Sequence, residues 1–149
     1  MLDNRSCNIK NNTNNTTERT KVFRGSKKAT EAIIRFVSKA TKEINACLDS
    51  TGPSVMIEIA SIKKARIDAK RRGVRLRYIT EITNDNIHHC KELLGFVDEL
   101  RHLNGIKGNF EICDFKEYVA TATLQEAQPI TELIYSNVRQ IIEQEQYVF

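Results

Sequence analysis

The sequence predicts an α/β layered fold with a mostly parallel sheet and helices on both faces. Short apolar segments of strand length alternate with amphipathic segments of helix length along most of the chain, and Gly, Pro or small polar residues separate them. Two late strands are joined by only the short segment DFKE, whose Glu117 already begins the second strand. A helical crossover needs a longer connection, so this pair can be antiparallel and the sheet mixed.

The chain length and composition fit one domain. It has 149 residues, of which 40% are hydrophobic and 28% charged, an ordinary globular balance. Residues 1–20 are rich in Asn and Thr and are predicted to form a disordered polar leader. Residues 21–149 are then a single α/β domain. The chain shows no signal-peptide core and no apolar run that could cross a bilayer, which predicts a cytoplasmic location.

The apolar periodicity places the elements in order along the chain. The predicted strands are TKVF (20–23), INACLD (44–49), VRLRYIT (74–80), NFEIC (109–113) and EYVATATL (117–124). The predicted helices are 26–42, 50–72, 84–104 and 129–149. Ser26 is a plausible N-cap for the first helix, and Gly73 and Gly105 are expected to end the second and third.

The predicted last helix carries an apolar stripe that reaches the final residues, at Ile134, Val138, Ile141, Ile142 and Val148. No Gly or Pro ends it. Such a helix suits homodimer pairing or continuation into a further helix, and the resemblance given below implies that it is the signalling element.

Two polar loops are the candidate binding site. In open α/β sheets, ligands bind beyond the carboxyl ends of strands, and DSTGPS (49–54) and TEITND (80–85) each follow a predicted strand. Their hydroxyls and free backbone N–H groups could hold an anion or another polar ligand. Ordinary helix capping explains the same residues and is favoured about two to one. The candidate residues are Asp49, Ser50, Thr51, Ser54, Tyr78, Thr80 and Glu81.

The segment NIHHCKEL contains two adjacent histidines, which suggests metal binding or catalysis. At roughly 100° per residue, His88 and His89 point to different sides of a helix, so they cannot share one metal ion. The pairs Asp85–His89 and His88–Glu92 supply two ligands each, fewer than zinc requires. We therefore expect surface or semi-exposed histidines beside a stripe of Ile87, Cys90, Leu94 and Val97 that packs inward. His89 remains a candidate for lining a pocket, and neither a metal nor a cofactor is predicted.

The basic segment KKARIDAKRRGVRLR (63–77) suggests nucleic-acid binding. Its cations point to more than one side of a helix, and no aromatic residues lie between them. The net charge of +4 is only mildly basic. A solvated helix end is therefore the favoured reading, and nucleic acid is an unlikely partner.

The stretch TGPSVMIEIASIKKARIDAKRRGVRLRYITEITNDNIHHCKELLGFVDELRHLNGIKGNF (51–110), with the run Glu117–Phe149, resembles the N-terminal input domain of archaeal sensor histidine kinases. The resemblance covers essentially residues 20–149 and implies a phospholipase D-like α/β fold. Catalytic members of that fold carry H-x-K-x-x-x-x-D on a late strand. Placed on EYVATATLQ, this motif falls on Tyr118, Ala120 and Gln125, so all three catalytic residues are missing and Tyr118 would form the pocket floor.

The resemblance therefore implies a non-catalytic sensory or ligand-binding domain of a two-component histidine kinase. The chain has neither a phospho-acceptor motif nor an ATP-binding motif, so it is not expected to be an enzyme. Its expected partners are an unidentified small ligand or protein and a second copy of the chain. Two alternatives remain: a phosphodiesterase-like hydrolase using His89 or Tyr118 with Glu81, and a nucleic-acid-binding regulator working through residues 63–77.

Overall fold

A seven-stranded sheet forms the centre of the computed structural model, which describes residues 17–149. Residues 1–16, with most of the predicted leader, lie outside the described part. The strands are β1 (Thr20–Arg24), β2 (Glu43–Leu48), β3 (Arg75–Thr80), β4 (Glu99–His102), β5 (Asn109–Cys113), β6 (Glu117–Thr121) and β7 (Glu132–Ser136). The helices are α1 (Ser26–Ser38), α2 (Gly52–Glu58), α3 (Ala60–Arg71), α4 (Ile87–Leu93) and α5 (Arg139–Gln146).

The sheet is mixed, and the expectation that it is mostly parallel is wrong. The strand order is β1-β7-β6-β5-β2-β3-β4. Only β2–β3 and β3–β4 are parallel, whereas β2–β5, β5–β6, β6–β7 and β1–β7 are antiparallel. Long connections containing helices join β2 to β3 and β3 to β4, as parallel pairing requires. The short DFKE turn makes β5 and β6 a hairpin, as the sequence allowed.

Helices cover both faces of the sheet, as predicted, but unequally. Because side chains alternate along a strand, Ile44, Ala46 and Leu48 of β2 point into the main core under α1, α2 and α3. Asn45 and Cys47 point to the opposite face, called the far face below. There the short helix α5 and the C-terminal Phe149 lie against the sheet, with the Phe149 ring centroid 5.9 Å from that of Phe110.

The predicted helix 50–72 is two helices. Ile59 adopts an extended conformation, with φ −85° and ψ 100°, and separates α2 from α3. The segment Ile57-Glu58-Ile59 contains two β-branched residues, which have lower helix propensity. The break lets α2 pack on α4 while α3 packs on α1.

The predicted helix 84–104 is also too long. Helix α4 ends at Leu93, and residues Glu99–His102 form the edge strand β4 beside β3. As a result, Ile87 and Leu94 of the expected inward stripe are 43% and 59% exposed. Cys90 and Val97 are buried as expected.

The predicted helix 129–149 is wrong in its first half. Residues Glu132–Ser136 form β7, which fills the place between β6 and β1. Leu133 packs into the core and Ile134 lies on the far face, the alternation of a strand rather than a helix. Within the described residues, no helix is both long enough and apolar enough to cross a membrane.

Candidate functional site

The two predicted loops meet at one edge of the sheet, called the loop edge below. The Thr80 hydroxyl at the end of β3 donates to the backbone oxygen of Asp49 at 3.2 Å. The Asn86 side-chain amide donates to the backbone oxygens of Ser50, at 2.9 Å, and Glu81, at 2.7 Å. The expectation that both loops lie at the same edge is therefore confirmed.

Asp49 is the centre of this edge. Its side chain is buried, and Oδ1 accepts hydrogen bonds from the backbone N–H groups of Thr51 and Gly52 and from the Thr51 hydroxyl, at 3.0, 3.1 and 2.7 Å. Oδ2 accepts from the side-chain amide of Asn109 at 2.9 Å and from the backbone N–H of Leu124 at 3.4 Å. The carboxylate thus satisfies the start of α2, as a helix-capping acid does, and leaves little acceptor capacity for a ligand.

Asn109 is the main residue that the sequence reasoning missed. It begins β5, and because β5 runs antiparallel to β2, its first residue lies beside the last residues of β2. Its Oδ1 accepts from the backbone N–H of Asp49 at 3.0 Å, and its Nδ2 also donates to the Ala122 carbonyl at 3.2 Å. A polar residue at the start of a predicted strand was the available signal, but its partner depends on a strand order that the sequence does not show.

The segment that follows β6 covers the loop edge and contacts Thr51 and Ser54. The Thr51 hydroxyl lies 2.8 Å from the Leu124 carbonyl oxygen, and the buried Ser54 hydroxyl accepts from the backbone N–H of Ala127 at 2.7 Å while donating to the Thr51 carbonyl at 2.7 Å. Ser50, Thr51 and Glu81 are partly exposed, whereas Asp49, Ser54 and Thr80 are buried. A partner could reach only the exposed group without rearrangement.

His89 and Glu81 do not come together. His89 is 4% exposed, which contradicts the expected surface position, and its Nε2 lies 3.1 Å from Oε1 of Glu58 in α2. Glu81 instead accepts from the backbone N–H of Gly105 at 3.2 Å. His88 stays exposed, its ring centroid 3.9 Å from that of His89. Within residues 17–149, no three His, Cys, Asp or Glu side chains are placed to hold a metal ion.

Tyr118 lies on the far face, away from the loop edge. It pairs with Ile112, and its ring stacks on Phe110 with centroids 5.9 Å apart. Burial and the nearby Glu145 carboxylate raise the pKa of Tyr118 to about 12, so the phenol stays protonated at neutral pH. Tyr118 therefore does not share a pocket with Asp49 and Thr80, and it is a poor general base.

Tyr78 points into the main core beside a buried ion pair. Nη2 of Arg66 in α3 donates to both carboxylate oxygens of Glu111 in β5, at 2.7 and 2.6 Å, and the two side chains are 0% and 5% exposed. Nε and Nη1 of Arg66 and the Tyr78 hydroxyl have no hydrogen-bond partner among the described residues. Desolvation raises the pKa of Tyr78 well above its usual range, so Tyr78 is part of the interior and not of the loop edge.

Most cations of the basic segment 63–77 form ion pairs with carboxylates of the fold. Seven of its eight cations lie within salt-bridge distance of a carboxylate, and the eighth, Arg72, donates to the backbone carbonyls of Val37 and Ala40. The pairs are Lys63–Glu92, Lys64–Asp68, Arg66–Glu111, Lys70–Asp98, Arg71–Asp68, Arg75–Glu99 and Arg77–Glu43. Most of its positive charge is neutralised within the fold, which leaves little for an anionic partner.

Comparison with known proteins shows the fold type. No family model and no curated protein sequence matches the chain. NucT from Helicobacter pylori has a similar structure, with a TM-score of 0.69 at 15% identity over 89% of this chain and 93% of NucT. Polyphosphate kinase from Porphyromonas gingivalis is similar with a TM-score of 0.57 at 13% identity, over 88% of this chain and 23% of the kinase chain.

A third similar structure is TrmBL2, an archaeal chromatin protein described as having a novel mode of DNA binding. The TM-score is 0.60 at 21% identity, over 90% of this chain, and the chain spans 52% of TrmBL2. NucT and polyphosphate kinase have phospholipase D-superfamily folds, and the chain shares their mixed α/β architecture. The expectation that nucleic acid is an unlikely partner is not supported, because a DNA-binding protein shares this fold.

Proposed function

We propose that the chain is a non-catalytic, phospholipase D-like binding module that serves as the input domain of a signalling protein. The observation that carries this proposal is the state of the loop edge. There the central carboxylate, Asp49, is occupied by five hydrogen bonds from the chain itself. A catalytic carboxylate needs a free oxygen and a nearby nucleophile.

The spacing of the catalytic motif supports the same conclusion on two strands. On β6, the spacing H-x-K-x-x-x-x-D falls on Tyr118, Ala120 and Gln125. On β5, which starts at the loop edge, it falls on Asn109, Glu111 and Lys116. Neither strand offers the histidine nucleophile that phosphodiester cleavage by this route requires, and Glu111 is bound to Arg66 in the core.

A single strand connects the loop edge with the predicted signalling helix. Strand β2 leads directly into Asp49, and its Asn45 side chain lies 3.5 Å from Oε1 of Gln146 in α5. Displacement of the loop by a partner bound at Ser50, Thr51 or Glu81 would therefore act on a strand that touches α5. This contact provides a short physical route from binding to output.

The absence of catalysis is tested with bis(p-nitrophenyl) phosphate. The purified protein should release p-nitrophenol no faster than a heat-denatured sample. Turnover that persists in Asn84→Ala, an exposed control position, and disappears in Tyr118→Phe or His89→Ala would overturn the proposal and establish the phosphodiesterase-like alternative.

Pairing through α5 is the second part of the proposal. Ile141 is 37% exposed and Val148 is 42% exposed, although both are apolar. Sedimentation should give a dimer for the native chain and for Gln140→Asp, a control on the exposed side of α5, but a monomer for Ile141→Asp. A monomeric native chain at tens of micromolar, or a dimer unaffected by Ile141→Asp, would exclude this interface.

Nucleic-acid binding is the second candidate function. It is favoured by the shared fold with TrmBL2 and by a set of cations on α1 and β1 that the fold does not neutralise. The paired segment 63–77, which the sequence indicates first, does not contribute to it.

A further inference from the structure

A groove runs between helix α1 and the edge strand β1. It consists of two adjoining depressions that share Phe23, Ala32 and Arg35. Its floor is apolar and recessed, since Phe36 and Ala32 are buried and Phe23 is half-buried. Helix α1 has 13 residues, which at about 1.5 Å per residue makes the groove roughly 20 Å long. We call it the α1–β1 groove.

The walls of the α1–β1 groove are strongly cationic. Six basic side chains line it, against the two carboxylates of Glu31 and Glu117. The lining of the groove therefore carries a clear excess of positive charge. The six are Arg19, Lys21, Arg24, Lys28, Arg35 and Lys39.

Unlike the cations of segment 63–77, most of the cations in this groove have no carboxylate partner. Among the described residues, five of the six have no carboxylate within salt-bridge distance, and Arg24 has one at 3.8 Å, Glu132. Arg19 lies 5.8 Å from the centre of the Tyr135 ring, and the Tyr135 hydroxyl binds Glu117 at 3.0 Å. The neutral Tyr135 hydroxyl does not cancel the charge of Glu117, but cations outnumber carboxylates along the groove.

We propose that the α1–β1 groove binds the phosphate backbone of double-stranded nucleic acid without reading its sequence. A line of cations about 20 Å long matches the regular charge of a duplex, one negative charge per about 1.7 Å of helix axis. Contacts to phosphates position a protein on the duplex but carry no sequence information. The inference rests on the second candidate function and not on the absence of catalysis.

The shape of the groove favours a duplex over the other polyanions. Membrane binding by a basic surface gains strength from apolar side chains that protrude beside the cations. Here Phe23 and Phe36 lie at the bottom, and Val22 alone among the apolar lining residues is exposed. Single strands are held by stacking on exposed aromatic rings, and Tyr135 is half-buried with its hydroxyl engaged. A rigid backbone lying over the cationic walls fits both features.

The test is a fluorescence-anisotropy titration of a random-sequence DNA duplex over a range of salt concentrations. If all six cations contact phosphates, the plot of log association constant against log salt should have a slope of about −5.4, since each neutralised phosphate contributes about −0.9. The variant Arg35→Ala/Lys39→Ala should bind more weakly, with a slope of about −3.6. Both side chains are exposed and make no hydrogen bonds that the fold depends on, so the variant should fold; circular dichroism checks this.

The matched control is Lys64→Ala/Arg71→Ala, which removes the same charge from the exposed side of α3. It should bind DNA with nearly the native affinity and slope. Equal losses in the two variants would show that only net charge matters and would overturn the groove. Failure to bind at low salt would overturn it too, as would binding to phosphatidylserine vesicles in place of DNA. None of these results depends on the phosphodiesterase assay, so the two proposals can fail separately.

Discussion

Replacing Arg66 with Met should be among the most destabilising single substitutions in the core. The Arg66 and Glu111 side chains are 0% and 5% exposed, so removal of the cation leaves a buried carboxylate without its partner. Breaking a buried ion pair in this way typically costs about 3–5 kcal/mol. Since a domain of this size is stable by only about 5–15 kcal/mol, the variant should lose a large part of its stability.

The double replacement Arg66→Met/Glu111→Leu should behave differently. The native pair uses one guanidinium nitrogen for both carboxylate oxygens, at 2.7 and 2.6 Å, and leaves Nε and Nη1 without partners in the described structure. A pair with unsatisfied donors repays little of its desolvation cost, and apolar replacement of such pairs is often neutral or stabilising by about 1–4 kcal/mol. The double variant should therefore be about as stable as the native protein, or more so.

Urea unfolding followed by circular dichroism measures the free energies of unfolding of the native protein, of the single variants Arg66→Met and Glu111→Leu, and of the double variant. The exposed pair Arg139–Glu143 in α5, at 83% and 62% exposure, is the control, and Arg139→Met should change stability far less than Arg66→Met. If the double variant lost as much as the sum of the two single variants, the buried charges would not compensate one another and the reasoning would fail. A native-like Arg66→Met would refute it as well.

Two further predictions concern the turns that frame the sheet. Burial alone would raise the pKa of Asp114, but hydrogen bonds from the backbone N–H groups of Thr41, Glu43 and Lys42 lower it below its usual value. Asp114 therefore stabilises the fold at neutral pH and loses this contribution as the pH falls through its folded pKa. As the pH is lowered from about 5, Asp114→Asn should lose less stability than the native chain. If the urea midpoints of the two proteins changed identically with pH, the stabilising role of the Asp114 carboxylate would be contradicted. At the loop edge, a Cβ on Gly52 would lie 2.7 Å from Cβ of Leu48 and 3.0 Å from Oδ1 of Asn109. Gly52→Ala should cost roughly 1–3 kcal/mol, and an unchanged urea midpoint would show that the loop yields.

The early and central elements were predictable because their apolar patterns have one period each. INACLD is short and mostly apolar, and VRLRYIT begins with the alternation of apolar and basic residues that a strand shows; they form β2 and β3. The segment TELIYSNV fits both a helical and a strand period. Its conformation is decided by pairing with β1, in which Ser136 lies opposite Thr20, a contact that no local pattern contains.

The contacts at the candidate sites were also predictable only in part. The meeting of the two loops follows from parallel β2 and β3 and was predicted, whereas the contact between Asp49 and Asn109 follows from the antiparallel placement of β5. The cations of the α1–β1 groove were overlooked because their density along the sequence is ordinary. The densest basic segment of the sequence is residues 63–77. Acidic residues distant in sequence, such as Glu92, Glu99 and Glu111, neutralise it in the fold.

The pairing of β1 with β7 means that the sheet is completed late in the synthesis of the chain. The first strand of the described structure lies against the last, and its partners are separated by up to 116 residues. Contacts of such high sequence separation form slowly because a long loop must close first. On the ribosome, β1 remains without its neighbour until residue 136 has emerged, so the outer wall of the α1–β1 groove is completed only when synthesis of the sheet is finished. A polyanion would therefore bind this groove only in chains whose sheet is complete.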